Sequence, residues 1–294
     1  ARRLDKGCSW LMNSHVRWRG WVLVGPALLV TLGLFAAPMV LVIITSLYRR
    51  EGASINRALS LDNYVRILTD ATIHQALLNS LEVVALTVAF STLIAYPFAY
   101  IIAFKVASKW QPLLLLLTVL PFWTSYVVRS YSWLLVLAKN GVINQTLVEW
   151  GVLAEPLAMA NTRFATVLAF THFFIMVTTL TIYASLRQIP TNLGPAARDL
   201  GASPLQVFLR VTLPLSIPGV VVGAFLTFVL AIGDYITPQI VGGGNELLLP
   251  QLLILQVSRR GDFPLAAAMA LVLLGIVALV YAASAKNLTL ERRE

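Results

Sequence analysis

The sequence predicts an all-α membrane protein with six transmembrane helices and both termini on the cytosolic side. Three observations carry this prediction. Hydrophobic residues make up 58% of the 294, and the mean hydropathy is +0.80. Only 12% of the residues are charged, about half the roughly 25% of an ordinary soluble chain. The apolar residues also fall into six runs, each near or above the ~20 residues that a helix needs to cross hydrocarbon.

The runs occupy 21–48, 77–104, 112–137, 164–187, 214–233 and 264–285. Hydrocarbon offers backbone groups no partner, so each run reads as a helix in spite of its β-branched residues. The first is 28 residues long and contains Pro38, which predicts tilt or a kink. It follows Arg17 and Arg19, is too long for a signal peptide and shows no small-residue cleavage site, so it reads as a retained anchor. Pro97 and Pro121 mark further places where a span could bend.

Orientation follows from the basic residues. Thirteen Lys and Arg lie in the segments placed inside (Arg2, Arg3, Lys6, Arg17, Arg19, Lys105, Lys109, Arg187, Arg198, Arg210, Lys286, Arg292 and Arg293). Eight lie outside, and Arg129 falls within the third run, completing the 22. The bias favours the N-terminus inside. The chain then divides into a cytoplasmic segment 1–20, a first span 21–48, an outer loop 49–76, a core 77–285 with a cytosolic loop 188–213, and a tail 286–294.

Several function classes drop out. Cys8 is the one cysteine, so no intrachain disulfide forms. His15, His74 and His172 have no metal-ligand spacing and read as structural or interfacial residues. No serine–histidine–acid or paired-carboxylate pattern points to an embedded hydrolase. No lysine follows a glycine, so the chain lacks a phosphate-binding P-loop. The net charge of +9 sits mainly at span ends, where it encodes topology and not affinity for nucleic acid.

The most informative stretch is the polar loop before the fifth run, with 197–214 reading ARDLGASPLQVFLRVTLP. Gly194–Pro195 reads as an N-cap and first helical residue, and Gly201 as a left-handed stop. Ser203, Pro204 and Gln206 read as cap, first residue and capping-box partner of a second short helix. Leu205, Phe208 and Leu209 share a face at helical spacing, and Pro214 opens the next span. Helices this short need a surface to pack on. They cap their own bundle or dock a cytosolic protein.

This stretch resembles the coupling-loop signature of ABC importer permeases: Glu-Ala-Ala, three residues, Gly, nine residues, Ile-x-Leu-Pro. Ala196, Ala197, Gly201, Leu213 and Pro214 match at the right spacings, with Val211 for isoleucine and Pro195 for the usual glutamate. PFWTSYVVRSYSWLLVL at 121–137, LDNYVRIL at 61–68 and AIGDYITPQIVGG at 231–243 look like the spermidine/putrescine branch of that family. The resemblance implies the type I importer fold, one N-terminal helix beside a five-helix core, in a bacterial inner membrane. It implies as partners a second permease subunit, two ATPase subunits that hold the ATP and magnesium, and a periplasmic substrate-binding protein. The coupling residues would be Ala196, Ala197, Asp199, Gly201, Leu213 and Pro214, with Asp199 standing in for the missing glutamate. No cofactor is expected on this chain.

Other residues leave alternatives open. Gly219 and Gly223 form a small-xxx-small face, for packing within this chain or against another. Arg129 in the third run must snorkel, line water or find a partner such as Glu82. Trp123, Tyr126, Tyr131 and Trp133 make an interfacial belt or an aromatic wall for organic cations. Tyr126 and Trp133, seven residues apart, share a face, while Tyr131 points elsewhere. With Asp234 they are the candidate substrate pathway. Gly242–Gly243–Gly244 reads as a flexible outer loop, a plain linker or a meeting point for a binding protein. The cargo reads as a polyamine, with an opine, another amine or a metal complex as alternatives. A secondary transporter or channel is the rival of a different class, and would be expected to show an inverted repeat and mid-membrane charges.

Overall fold

The computed structural model describes the backbone over residues 8–52, 54–244 and 247–288, and side chains from 24 to 285 within those ranges. Residues 1–7 and 289–294 lie outside the described residues, and with them Arg2, Arg3, Lys6, Arg292 and Arg293 of the orientation count.

The chain opens with a 39-residue helix α1 (Cys8–Ser46), then a small hairpin of β1 (Arg49–Glu51) and β2 (Ser54–Asn56). Helices α2 (Asp62–Thr69) and α3 (Ala71–Phe104) follow. The third apolar run forms α4 (Gln111–Val119), tightening into a 3₁₀ turn at Leu120–Trp123, and then α5 (Tyr126–Leu137) and α6 (Val142–Glu149). Next come α7 (Arg163–Gln188), α8 (Leu193–Asp199) and α9 (Pro204–Val207). A π turn at Phe208–Thr212 carries α9 without interruption into α10 (Leu213–Ile232). The chain ends with α11 (Leu249–Leu255) and α12 (Phe263–Leu288).

Among the described residues five helices are long and apolar enough to cross a bilayer, and the bent pair of Gln111–Trp123 with Tyr126–Glu149, taken as one span, makes the sixth. That pair corrects the sequence reading, which took 112–137 as one helix. The two halves meet at 88°. Pro121 leaves a helical bond unmade, and Thr124 and Ser125 are extended. The Thr124 hydroxyl donates to the Pro121 carbonyl at 2.7 Å, so the break leaves that group satisfied.

A second correction concerns the outer segments, read as loops. Segment 49–76 holds the hairpin and α2, whose Asn63 side chain donates to the carbonyls of Ser46 and Tyr48 and so caps the end of α1. Segment 138–163 is pinned by buried Asn144, which bonds Ala138 and both backbone groups of Leu157. Asp70 caps α3 by accepting the Thr72 N–H at 2.8 Å, and that bond holds its carboxyl below the usual value. The cap therefore contributes above the ordinary carboxylate pKa and is lost as pH falls through the lowered one.

The hub is α7. Of its most apolar stretch, 67% is buried, against 0% for α1, and it packs mainly on α3 and α10. The approach of α10 is set by Gly219 and Gly223. A Cβ on Gly219 would overlap Ser185 and lie 2.6 Å from the Thr181 carbonyl oxygen. One on Gly223 would overlap the Thr181 hydroxyl and lie 3.2 Å from Thr178 Cα. Thr178 and Thr227 hydroxyls then bond across the seam at 3.0 Å. The small-residue face therefore packs within the chain.

Gly219→Val and Gly223→Val should each lower stability by about 1–3 kcal/mol through overpacking. Gly275→Ala, at a site with nothing within 4 Å, should leave stability unchanged or slightly raised. Melting temperatures in detergent check all three.

Candidate functional site

Two groups of residues stand out, at opposite ends of the continuous helix from Pro204 to Ile232. At about 1.5 Å per residue its 29 residues span roughly 43 Å.

At the first end, α8 and α9 form a compact hairpin. Ser203 accepts the Gln206 N–H and the Gln206 side chain accepts the Ser203 N–H at 2.8 Å, a complete capping box with Pro204 as first residue. Gly201 has φ +85° and donates its N–H to the Arg198 carbonyl at 2.8 Å, closing α8 as the sequence predicts. Nothing lies within 4 Å of where its Cβ would be, so only backbone geometry requires glycine there. The N-terminus of α8 differs from the reading. Asn192 is the cap and Leu193 the first residue, which moves Pro195 to third. A proline fits there too, because N–H groups of the first turn have no partner inside the helix.

The second short helix is also not a separate unit. The wide turn at Phe208–Thr212 lets it run on into α10. It lies just before Pro214, whose ring would clash with the Arg210 carbonyl in a regular helix. Of the predicted apolar face, Leu205 and Leu209 are exposed. Val207 is buried instead, with Gly194 of α8 against it. Phe208 stands edge-on between Tyr96 and Tyr100 of α3, 5.8 and 5.7 Å away. The Tyr96 and Ser216 hydroxyls bond at 2.8 Å. Ala196, Arg198, Asp199 and Leu200 remain exposed beside this anchored base.

At the other end, the structure joins Tyr126 to Asp234 and places Trp133 two turns further along α5, through contacts the sequence did not reveal. The Tyr126 ring lies 4.8 Å from Phe173, and Trp133 donates its indole N–H to His172 Nδ1 at 3.1 Å. Both therefore face α7, while Tyr131 is exposed. The Tyr126 hydroxyl donates to Asp234 Oδ2 and accepts from Thr237 at 2.6 Å. Asp234 Oδ1 accepts the Ile236 N–H at 2.8 Å. The roles of His172, Thr237 and Phe173 were missed because only tertiary packing brings them here.

Arg129 does not pair with Glu82. Glu82 pairs with Arg163, which also donates to Asn79 at 3.0 Å. The Arg129 guanidinium stacks 4.7 Å from the Phe173 ring and 5.6 Å from Tyr126, its Nε buried without a hydrogen bond. It borders an apolar cavity of about 400 Å³ between α3, α4 and α7. Gly242 and Gly243 are not slack. Gly242 is buried, and a Cβ on it would lie 2.5 Å from the Thr166 hydroxyl; one on Gly243 would lie 2.9 Å from Asn161. Among the described residues no group of three His, Cys, Asp or Glu could hold a metal ion.

Residues 95–288 match the family described as binding-protein-dependent transport system inner membrane component. The chain belongs to that family. The permease is 33% identical over 248 residues to the spermidine/putrescine transport system permease protein PotB of Escherichia coli K12, covering 83% of this chain and 90% of that one. It is 32% identical to PotB of Haemophilus influenzae, covering 83% and 86%. It is also 34% identical to the inner membrane ABC transporter permease protein YdcU of Escherichia coli K12, covering 80% and 78%. In fold the permease is similar to a chain of a bacterial ABC transporter that imports the acidic polysaccharide alginate, with TM-score 0.73, 17% identity and 95% and 99% coverage. A chain of the MetNI methionine ABC transporter gives 0.57, 18%, and 75% and 96%. The type I importer permease fold and the multi-pass inner-membrane location expected from the sequence therefore hold.

Phe208→Ala in the permease should cost about 2 kcal/mol, the sum of two edge-on ring contacts and some lost burial. Tyr96→Phe should cost about 1 kcal/mol for its bond to Ser216. Thermal unfolding of the purified protein reads both.

Proposed function

We propose that the permease is one of two membrane subunits of an ATP-driven importer of polyamines, delivered by a periplasmic binding protein. Its own chain has no phosphate-binding loop, so hydrolysis belongs to two ATPase subunits that hold ATP and magnesium. The observation that carries this reading is the unbroken helix from Pro204 to Ile232, with a capped, exposed hairpin at one end and an aromatic–carboxylate mouth at the other. Such a helix transmits displacement as a rigid element. The exposed Leu200, Leu205 and Leu209 give an ATPase an apolar surface to grip, and Asp199 gives it a charge in place of the glutamate absent at Pro195.

Polyamine cargo is supported by the relatives named for spermidine and putrescine. It is also supported by the chemistry of the mouth. Aromatic faces and one carboxylate attract an ammonium chain without trapping it. Arg129 beside Tyr126 favours one second reading, a cargo that carries a carboxylate as well as an amine, such as an opine. The ligand that copurifies with the cognate binding protein decides between them. A polyamine is expected, and an opine would overturn the first reading.

The coupling role gives a graded expectation. At φ +85° a residue with a Cβ is strained by about 1–2 kcal/mol, less for asparagine. Uptake per ATP hydrolysed should fall in the order Gly201, Gly201→Asn, Gly201→Val, with membrane insertion intact. Normal uptake and normal stimulated ATPase in Gly201→Val would remove the coupling role. Asp199→Ala should weaken ATPase assembly at low salt and have little effect at high salt, because an exposed charge pair is screened. Salt-independent assembly would show that Asp199 is merely solvated.

A further inference from the structure

We propose that the hydrogen bond from Tyr126 to Asp234 is a latch that the cargo opens, an ammonium group taking the tyrosine's place on the carboxylate. The inference rests on the polyamine reading and adds to it the event that signals cargo arrival. Four features of the geometry carry it.

First, the latch joins a hinged element to a rigid one. Only Thr124–Ser125 separates α5 from the 3₁₀ turn that ends α4, and the segments Gln111–Trp123 and Tyr126–Glu149 meet there at 88°. Tyr126 is the first residue beyond that hinge. Asp234 stands two residues past the end of α10, the helix that continues to the coupling hairpin. A bond between them ties the posture of α5 to the far end of the rod.

Second, the carboxylate is fixed and has one exchangeable oxygen. Its Oδ1 is held by the Ile236 N–H, a bond between near neighbours that α5 does not control. Among the described residues its Oδ2 accepts only the Tyr126 hydroxyl. Asp234 is half-buried between exposed Gly233 and exposed Tyr235, so a cation can approach across the Tyr235 ring.

Third, the exchange is close to balanced. The carboxylate trades a hydroxyl donor for an ammonium donor, both of them charge-assisted bonds. The displaced Tyr126 hydroxyl stays 2.6 Å from Thr237 Oγ1 and can turn its proton onto that oxygen, so its donor is not orphaned. Fourth, the Arg129 guanidinium, 5.6 Å from the Tyr126 ring, is a fixed positive charge next to the site. It weakens retention of a cation there, so the cargo opens the latch and moves on.

Two substitutions separate the latch from a structural bond. Tyr126→Phe keeps the ring on Phe173 and removes the donor, which leaves the latch open. Asp234→Asn keeps an acceptor for Tyr126 but removes the charge that draws the ammonium, which leaves it closed. The test uses the whole transporter with its ATPase and binding-protein partners in nanodiscs, and measures ATPase with and without spermidine-loaded binding protein.

The parent complex should be stimulated by the loaded binding protein. Tyr126→Phe should raise the unstimulated rate about tenfold or more, the equivalent of one hydrogen bond to a charged group of about 1.5 kcal/mol, and lose most further stimulation. Asp234→Asn should lose stimulation by the loaded binding protein. An unchanged unstimulated rate in Tyr126→Phe, whether or not its melting temperature falls, overturns the latch. So does normal stimulation of Asp234→Asn. If spermidine and putrescine fail to stimulate the parent complex, the cargo reading falls by itself. The unstimulated rate of Tyr126→Phe, which involves no cargo, still decides the latch.

Discussion

The closeness of α10 to α7 is the constraint on which the rest of the permease depends. Without a Cβ on Gly219 and Gly223, the two backbones meet against Thr178, Thr181 and Ser185. Lipid tails give helices no hydrophobic reason to associate, so such contact, with a hydroxyl bond such as Thr178–Thr227, supplies the attraction. Because α7 also packs along α3, fixing α10 on α7 sets the height and rotation of Phe208 between Tyr96 and Tyr100. The same seam sets where Asp234 emerges, and hence that it reaches Tyr126.

Much of this fold was legible because hydropathy reports length and composition. Six apolar runs gave six crossings, counting the bent one. Hydropathy does not report straightness, and the 88° break was hidden in a run that stays apolar on both sides of Thr124 and Ser125. The only local sign was Pro121, which also stands in for the ordinary span prolines. Pro97 sits inside an unbroken α3. The outer segments were misread for the opposite reason. Their order comes from single buried polar side chains, Asn63 and Asn144, whose partners lie up to 17 residues away.

The site divided along the same line. Gly201, Ser203 and Gln206 were readable because a left-handed stop and a capping box are settled within four residues. Even there, the helix start at Leu193 slipped, since proline is tolerated throughout a first turn. The inward-packing residue of α9 was not legible because periodicity shows that a stripe exists but not which residues a neighbour covers, and α8 covers Val207. Asp234 and Tyr126 were each chosen for their chemistry. The bond that joins them spans 108 residues of sequence and follows from tertiary structure alone. Glu82 was within reach of Arg129 by depth in the membrane, yet depth leaves azimuth open, and Arg163 lies on its side.

Fold and cargo are thus written in different parts of the molecule. A chain from an alginate importer shares this architecture at 17% identity, although alginate is an acidic polysaccharide. What the two chains share is a backbone arrangement, and backbone requirements are met by glycines, prolines and caps that carry no charge preference. Under the function proposed above, charge preference enters through the few side chains at the end of α10 farthest from the capped hairpin. There one carboxylate, one guanidinium and two aromatic rings lie around a hinge. Under that reading a change of cargo calls for substitutions at that end, while the glycine seam, the π turn before Pro214 and the capped hairpin serve the backbone arrangement.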